Sequence, residues 1–368
     1  MRSISASTCI MATLQIPVDY AWEPSGDVAG ARKITLFPGQ SFDSIPPLQR
    51  FRAMFAALRR CDMVAIGISY GERDAVLLSW ALRLLGKRVV VFSESKFDDH
   101  RRSVGFELCK SMILAAYSAA IVGGKRHIDY FRFLRFCRRP VLPGYDGVGV
   151  ERVRAQAGGI LAPHGTEYEN RPFVYVGRFV GKKNLIRLVE GYARYVASTG
   201  PAPRRLILVG SGAEEDRMRR RIDELGVAHL IDFPGFLSAE AVSRTLAGAL
   251  ALMLVSREEQ WGLVVNEALA LGLPVIVSNE VGARDALVRN LVNGFVVESN
   301  SPDSIGRAML QLAGDRAGWA AMVAASHDRA WMGDTERLAD AVELLLYPGA
   351  EAAAERMKLF LAEMELEA

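Results

Sequence analysis

The chain has 368 residues, half of them apolar, and a formal net charge of +3. That length carries two domains with substantial cores, and that composition excludes a disordered protein. The longest nearly apolar stretch, about residues 111–124, is shorter than the ~20 residues a membrane-spanning helix needs, and residues 4–18 lack the basic start and cleavage pattern of a secretory signal.

In chain order, short apolar runs alternate with helical patterns. The first half predicts strands at 33–37, 63–69, 88–92 and 119–122, with helices at 48–60 and 74–85 between them. Residues 158–171 are rich in Gly, Pro and polar side chains and read as a link. The second half predicts strands at 173–176, 205–209, 230–233, 251–255, 274–278 and 294–297. Strands alternating with helices indicate parallel sheets. The expected organisation is α/β, with one Rossmann-like domain over 1–165, a second over 166–349 and a C-terminal helix over 350–368. That helix reads as amphipathic through Met357, Leu359, Phe360, Leu361, Met364 and Leu366.

Charge is uneven. Residues 1–165 hold 23 Lys/Arg against 14 Asp/Glu, and the remainder holds 22 against 28. A basic first half suggests an anionic neighbour, either a membrane surface or an anionic acceptor. The cations are densest at 125–139, where arginines and aromatics interleave. Two readings stand: an interfacial helix, or a surface helix whose aromatics enter the core. No nucleic-acid module signature accompanies the run. Cys9, Cys61, Cys109 and Cys137 are scattered without metal-ligand spacing. They read as reduced core thiols of a cytoplasmic protein.

The most informative segment is Glu259-Gln260-Trp261-Gly262-Leu263-Val264-Val265-Asn266-Glu267. Two carboxylates stand with seven residues between them, and an apolar run ending in a buried strand follows. Glu259 falls on a strand-end loop and Glu267 on the next helix. The N–H groups around Gly262 and Leu263 open that helix, and a helix start favours anions. Hydroxyl-binding carboxylates flanking such a turn suit a sugar nucleotide.

This segment resembles the Glu-x7-Glu element of the family 4 retaining glycosyltransferases (glycosyl transferases group 1). Trp261 stands for the usual Phe and Gln260 for a usual Gly. Four further elements match in order: Val176–Asn184, Leu208–Gly212, Phe233–Ser238, and Val281–Asp285 with Asn293–Phe295. The resemblance implies the glycosyltransferase-B fold, two Rossmann-like domains facing across a cleft, with the last helix crossing back to the first. It implies acceptor binding by the first domain and donor binding by the second. Transfer would run from a nucleotide-diphosphate sugar to an acceptor hydroxyl with retention, in bacterial surface polysaccharide or glycolipid assembly. No cofactor or metal is expected. The partners are a sugar nucleotide and a saccharide or lipid-linked acceptor.

By the same resemblance, Arg178 and Lys183 hold the leaving diphosphate, Glu259 binds hydroxyls of the transferred sugar, and Glu267 binds the ribose. Gly177, Gly210, Gly212, Phe236, Trp261, Gly262 and Leu263 complete the donor site. The first half resembles the family more loosely, at Ser69–Asp74, Ser93–Asp99, Ile121–Gly124 and Gly144–Gly149. Two departures stand out. No strand and small-residue loop is evident before Tyr20-Ala21-Trp22-Glu23-Pro24. No His follows the strand at 89–92, where Ser93, Glu94 and Ser95 stand instead, and His100 reads as a surface-loop residue.

Other functions remain. A dinucleotide fingerprint on Gly210-Ser211-Gly212 lacks its third Gly, replaced by Glu215, and lacks a suitable acidic residue ending the next strand. A carboxylate-nucleophile glycosidase does not fit hydroxyl-binding roles for Glu259 and Glu267. A sugar-nucleotide epimerase of the same fold and a catalytically impaired binding subunit stay as alternatives.

Overall fold

A computed structural model describes residues 9–13, 31–99 and 102–365. The segment Tyr20–Pro24, His100 and Leu366 lie outside the described residues. The chain forms two compact units. The first comprises residues 1–93, 103–120 and 134–140; the second comprises 94–102, 121–133 and 141–368.

In the first unit, β1 (Cys9–Thr13) pairs in parallel with β2 (Ala31–Thr35). A strand therefore exists upstream of residue 20, where the sequence shows none clearly. After α1 (Pro47–Leu58), β3 (Met63–Ile66) pairs in parallel with β4 (Arg88–Ser93) across α2 (Arg73–Leu84). Helices α1 and α2 are joined by a buried ion pair, Arg50 Nε to Asp74 Oδ2 at 2.7 Å, with the guanidinium stacked 3.7 Å over the Phe42 ring. Then come α3 (Val104–Leu114) and β5 (Ala119–Val122). The sheet has the order β3-β4-β5-β6, where β6 is Val141–Pro143.

Between β5 and β6 the basic run divides. Lys125–Phe131 forms α4, and Arg132–Phe136 forms a wide turn in which Arg135 has φ +64°. Tyr130, Phe131, Leu134 and Phe136 are buried. Three of the aromatics belong to the core while Phe133 is 58% exposed, and the run is not one continuous helix. The thiols also depart from expectation. Cys109 and Cys137 are exposed and Cys61 is half-buried, because each falls on the outward side of its element or in a loop.

The second unit opens with α5 (Val150–Gln156) and then alternates through β7 (Phe173–Val176), α6 (Leu185–Ser198), β8 (Leu206–Val209), α7 (Glu215–Glu224), β9 (Ile231–Gly235), α8 (Ala239–Ala247), β10 (Ala251–Leu254), α9 (Leu263–Ala270), β11 (Val275–Ser278), α10 (Arg284–Leu287) and β12 (Gly294–Val297). Every strand pair is parallel, and the order is β12-β11-β10-β7-β8-β9. From β7 the chain winds outward to β9, returns to β10 beside β7, and winds the other way. The order reverses between β7 and β10, and ligands of open parallel sheets bind at such a reversal, beyond the strand C-termini. Strands β10 and β11 are buried on both faces, which explains their unbroken apolar sequence.

Helices α11 (Pro302–Gly314), α12 (Arg316–Arg329), α13 (Glu336–Leu346) and α14 (Glu351–Glu365) complete the unit. Helix α14 buries Ala353, Met357, Phe360 and Met364 and packs on α13 and α10. The return to residues of the first half is made by α13, which packs on β6.

One side chain makes most of the contacts that hold the link at 158–171. Arg171 is buried, and its guanidinium donates to the carbonyls of Thr166, Ala247, Ala249, Pro163 and His164 at 2.7–2.9 Å. Burial pulls its pKa down to about 10, so it stays charged at neutral pH. Arg171→Met removes all five donors and leaves buried carbonyls unpaired. At ~1 kcal/mol or more for each stranded acceptor, the expected loss is at least about 3 kcal/mol. It should appear as a lower urea midpoint, with far-UV circular dichroism unchanged below the transition.

Candidate functional site

The site is built from loops at the C-terminal ends of β7, β8 and β10. These loops touch backbone to backbone. Gly177 N donates to Val209 O, Phe179 N to Ser211 O, and Gly210 N to Gly235 O, at 2.8–3.0 Å. Gly210 has φ +128°, and a Cβ there would lie 2.0 Å from the Gly177 carbonyl oxygen. No other residue fits both conditions. The same closeness recurs one layer on. Gly282 N donates to Glu259 O and Ala283 N to Trp261 O, and a Cβ on Gly282 would lie 1.7 Å from Gln260 O.

After β7 the chain makes a short turn over 181–183 and enters α6 through Asn184 in the left-handed conformation, φ +61°. Asn is the residue after Gly that best tolerates it. The buried Asn184 amide donates to Val255 O at 3.0 Å and Ser299 O at 2.7 Å, and its oxygen accepts from Arg257 Nε at 3.0 Å. One side chain thus joins the loops after β7, β10 and β12. The result is an ion pair across the sheet reversal: Lys183 Nζ donates to Glu259 Oε2, which also accepts from Ser256 Oγ at 2.9 Å.

The structure therefore brings Lys183 and Glu259 together. Arg178 is exposed on the loop after β7, and the Tyr175 hydroxyl donates to its carbonyl at 3.0 Å. Gly177, Gly210 and Gly212 lie in the strand-end loops, all with positive φ. Phe236 follows β9 and is 69% exposed. Gly262, at φ +103°, precedes Leu263, the first residue of α9.

Glu267 lies on α9, half-buried, and its carboxylate has no hydrogen bond or ion pair among the described residues. Burial raises its pKa from the ordinary 4.5 to about 7, opposed only by the Arg152 charge. A carboxylate left without donors in a desolvated place is costly.

One expectation is corrected. The Trp261 side chain, expected in the donor site, is turned into the protein. It is 3% exposed and packed on Gly123, where a Cβ would lie 2.7 Å from its ring. Its Nε1 donates to Asn266 Oδ1 at 2.9 Å. The neighbouring His127 ring centroid is 5.7 Å away. His127 is buried and depressed to about pKa 4 by desolvation, so it is neutral. Its Nδ1 accepts from Gly124 N at 3.1 Å, which leaves Nε2 to donate to Gln260 O at 3.0 Å. Arg126 adds a second brace, pairing with Asp285 and donating to Val281 O at 2.6 Å.

Sequence reasoning missed a carboxyl pair. Glu94 follows β4, and Asp146 follows β6 on a loop whose Tyr145 N donates to Val122 O at 3.1 Å. The Asp146 carbonyl accepts from Asn266 Nδ2 at 2.8 Å. Its Oδ2 lies 2.8 Å from where a Gly123 Cβ would stand. Burial raises Glu94; its hydrogen bond with Asp146 lowers it in part, and the Glu259 and Asp99 charges raise it further. Burial, then the Glu94 charge, holds Asp146 well above the usual carboxylate range. Two carboxyls that interact titrate as a pair and not singly. The signal was available in principle, since both follow predicted or observed strand ends, but nothing in their separate positions announces a pair.

The glycosyl transferases group 1 family matches residues 161–327, the segment that carries the sheet reversal and the loops after β7 to β12, but not Glu94, Gly123 to His127 or Asp146. The chain carries a group 1 glycosyltransferase domain. It is 26% identical over 240 residues to a D-inositol 3-phosphate glycosyltransferase of Streptomyces griseus, covering 62% of this chain and 48% of that protein. The chain spans about a third to a half of the length of the curated relatives it matches first. In fold it is similar to sucrose-phosphate synthase from Thermosynechococcus elongatus, with TM-score 0.69 and 20% identity over 94% of this chain and 89% of that one. It is also similar to Anabaena HepE in complex with UDP, with TM-score 0.67 and 17% identity over 86% and 85%. The architecture is that of the glycosyltransferase-B fold, as the sequence resemblance implies.

The raised carboxyls fix a sign for stability. Between their ordinary pKa and the raised value, the folded state keeps protons that the unfolded chain has released. Stability therefore falls as pH rises through that window, which for Glu267 runs from 4.5 to about 7. Glu94→Gln and Glu267→Gln should each raise the melting temperature near about pH 8, with the gain shrinking toward pH ~4.5. Melting curves of both variants across this range check the expectation; a gain independent of pH would contradict it.

Proposed function

We propose that this glycosyltransferase moves a sugar from a nucleotide-diphosphate sugar to an acceptor hydroxyl with retention, in bacterial surface polysaccharide or glycolipid assembly in the cytoplasm. The observation that carries the reading is the Lys183–Glu259 ion pair at the sheet reversal, with the unpartnered Glu267 carboxylate on the adjoining helix. In the proposed division of labour, residues 1–165 take a saccharide or lipid-linked acceptor, 166–349 take the donor, and 350–368 form the closing helix.

Glu267 accepts from the ribose hydroxyls, which supply the donors it lacks. Arg178 and Lys183 meet the diphosphate, and the N–H groups at Gly262 and Leu263 add dipoles. Glu259, released from Lys183, accepts from sugar hydroxyls. Phe236 offers its exposed ring to the base. The acceptor oxygen forms the new bond to the anomeric carbon as the bond to the phosphate oxygen breaks. The electron pair goes to the phosphate, and the acceptor proton passes to that oxygen. Positioned cations stabilise the charge that develops there, a role in which no metal is required. HepE, solved with UDP, and the inositol-phosphate transferase support a nucleotide donor and a hydroxyl acceptor.

Calorimetric titration with UDP and GDP tests the assignment. Glu267→Gln should weaken nucleoside diphosphate binding by roughly ten- to a hundredfold, and Glu259→Gln should spare it while lowering transfer. Wild-type affinity should rise from about pH 6 to 8 as Glu267 ionises, beyond the rise that remains in Glu267→Gln. Unchanged binding and turnover in both variants would make the motif structural. Nucleotide binding without transfer to any acceptor would favour an impaired subunit, and release of free nucleotide without an acceptor would favour an epimerase.

Arg178→Ala or Lys183→Ala should abolish most transfer, each removing about 2–4 kcal/mol of transition-state stabilisation. Single-turnover rates against intact melting curves provide the measurement.

A further inference from the structure

Two phenylalanines of the second unit stand half out of its surface. Phe97 follows Glu94 on the loop after β4, and Phe133 lies in the wide turn after α4. They are 50% and 58% exposed. Their ring centroids are 5.4 Å apart with the planes at 85°, so together they make a corner. Apolar residues scattered singly on a surface need no explanation, but large ones in contact do.

The corner is braced from within. The buried Tyr130 ring lies 6.2 Å from Phe97 and stacks on Phe133 at 6.4 Å. Arg102 donates through Nε to Phe97 O at 2.7 Å and through Nη1 to the Tyr130 hydroxyl at 3.0 Å. Its guanidinium sits 4.6 Å over the Tyr130 ring. Rings held in place beforehand leave a ligand little ordering cost.

Two side chains join the corner to the candidate site. Asp98, next to Phe97, accepts through Oδ2 from Arg126 Nη1 at 2.6 Å. The same guanidinium pairs with Asp285 and donates to Val281 O, and Gly282 N in that loop donates to Glu259 O at 3.1 Å. At the start of the Phe97 loop, Glu94 stands close enough to Glu259 and Lys182 for their charges to act on its carboxyl.

The groups beside the rings select the occupant. Each ring is flanked by an ion pair: Asp98–Arg126 beside Phe97, and Asp129–Arg132, at 3.6 Å, just before Phe133. Paired charges of both signs offer a bilayer or a nucleic acid little net attraction. They do offer donors and acceptors to a neutral polar molecule. A pyranose has C–H groups on one face and hydroxyls around its edge. An aromatic face with a few polar groups at its rim suits both.

We propose that Phe97 and Phe133 form the platform for a neutral saccharide acceptor, whose pyranose C–H face stacks on the rings while its hydroxyls meet the Asp98–Arg126 and Asp129–Arg132 pairs. The acceptor role rests on the transferase reading above; saccharide binding by the platform does not.

Saturation-transfer NMR with the methyl glycosides of glucose, galactose, mannose and N-acetylglucosamine, each with and without UDP or GDP, tests it. Wild type should bind at least one of them with a Kd of about 1–10 mM. Phe97→Ser with Phe133→Ser should weaken that binding by about tenfold or more, and Phe97→Tyr with Phe133→Tyr should preserve it. Both rings are half exposed, so melting curves should stay near wild type. The nucleotide should not displace the glycoside, and its own affinity should be equal in all three proteins. Wild type that binds none of the glycosides overturns the proposal, as does a serine variant that binds them like wild type. So does displacement by nucleotide, or a loss in Glu259→Gln with none in the serine variant, since either puts the sugar in the donor site. A serine variant that keeps glycoside binding but no longer floats with phosphatidylglycerol vesicles would assign the rings to lipid instead. Glycoside binding that depends on the rings in a protein that binds neither nucleotide would uphold the platform and remove the donor reading.

Discussion

The candidate site depends on main chain meeting main chain. Parallel strands bring their C-terminal loops to one edge, but side chains would normally hold those loops apart. Here Gly210 stands against the Gly177 carbonyl and Gly282 against the Gln260 carbonyl, with hydrogen bonds alongside. Once the loops touch, Asn184 can reach three of them, and Lys183 on one can reach Glu259 on another. A single methyl group at Gly210 or Gly282 would push the layers apart and undo the geometry of the charged groups.

Several ionisable groups are held where burial works against their charge. Glu267 lacks donors, Glu94 and Asp146 crowd one another, and His127 is kept neutral. The His127 case is structural, since both ring nitrogens are used inside the protein. The carboxyls differ from it: burial outweighs the partners that would favour their charge, and they lower stability at neutral pH. Sites that must bind a ligand commonly carry such strain.

Much of the second unit was legible in the sequence because its strands are short and mostly apolar, and glycine follows β7 and β8 and ends β9. The reversal between β7 and β10 was not, since strand order has no local signature. Trp261 misled for a physical reason. An aromatic beside a glycine turn can face either way, and its inward slot exists only because Gly123, over a hundred residues upstream, lacks a side chain. The basic run misled in part: arginines and aromatics alternated as on an interfacial helix, but the wide turn at Arg135 sends most of the rings inward. The corner of Phe97 and Phe133 could not be foreseen, because the two lie on separate loops and nothing local shows which way a ring looks.

The Lys183–Glu259 bond has a consequence for discrimination. Each ion is the other's counter-charge, so neither stands desolvated and alone. A molecule carrying only phosphate would claim the lysine and strand the carboxylate. A free sugar would claim the carboxylate and strand the lysine. Only a ligand presenting both groups at the right separation compensates the two losses together. Under the donor roles proposed above, the pair favours the intact donor over either of its halves before any chemistry begins.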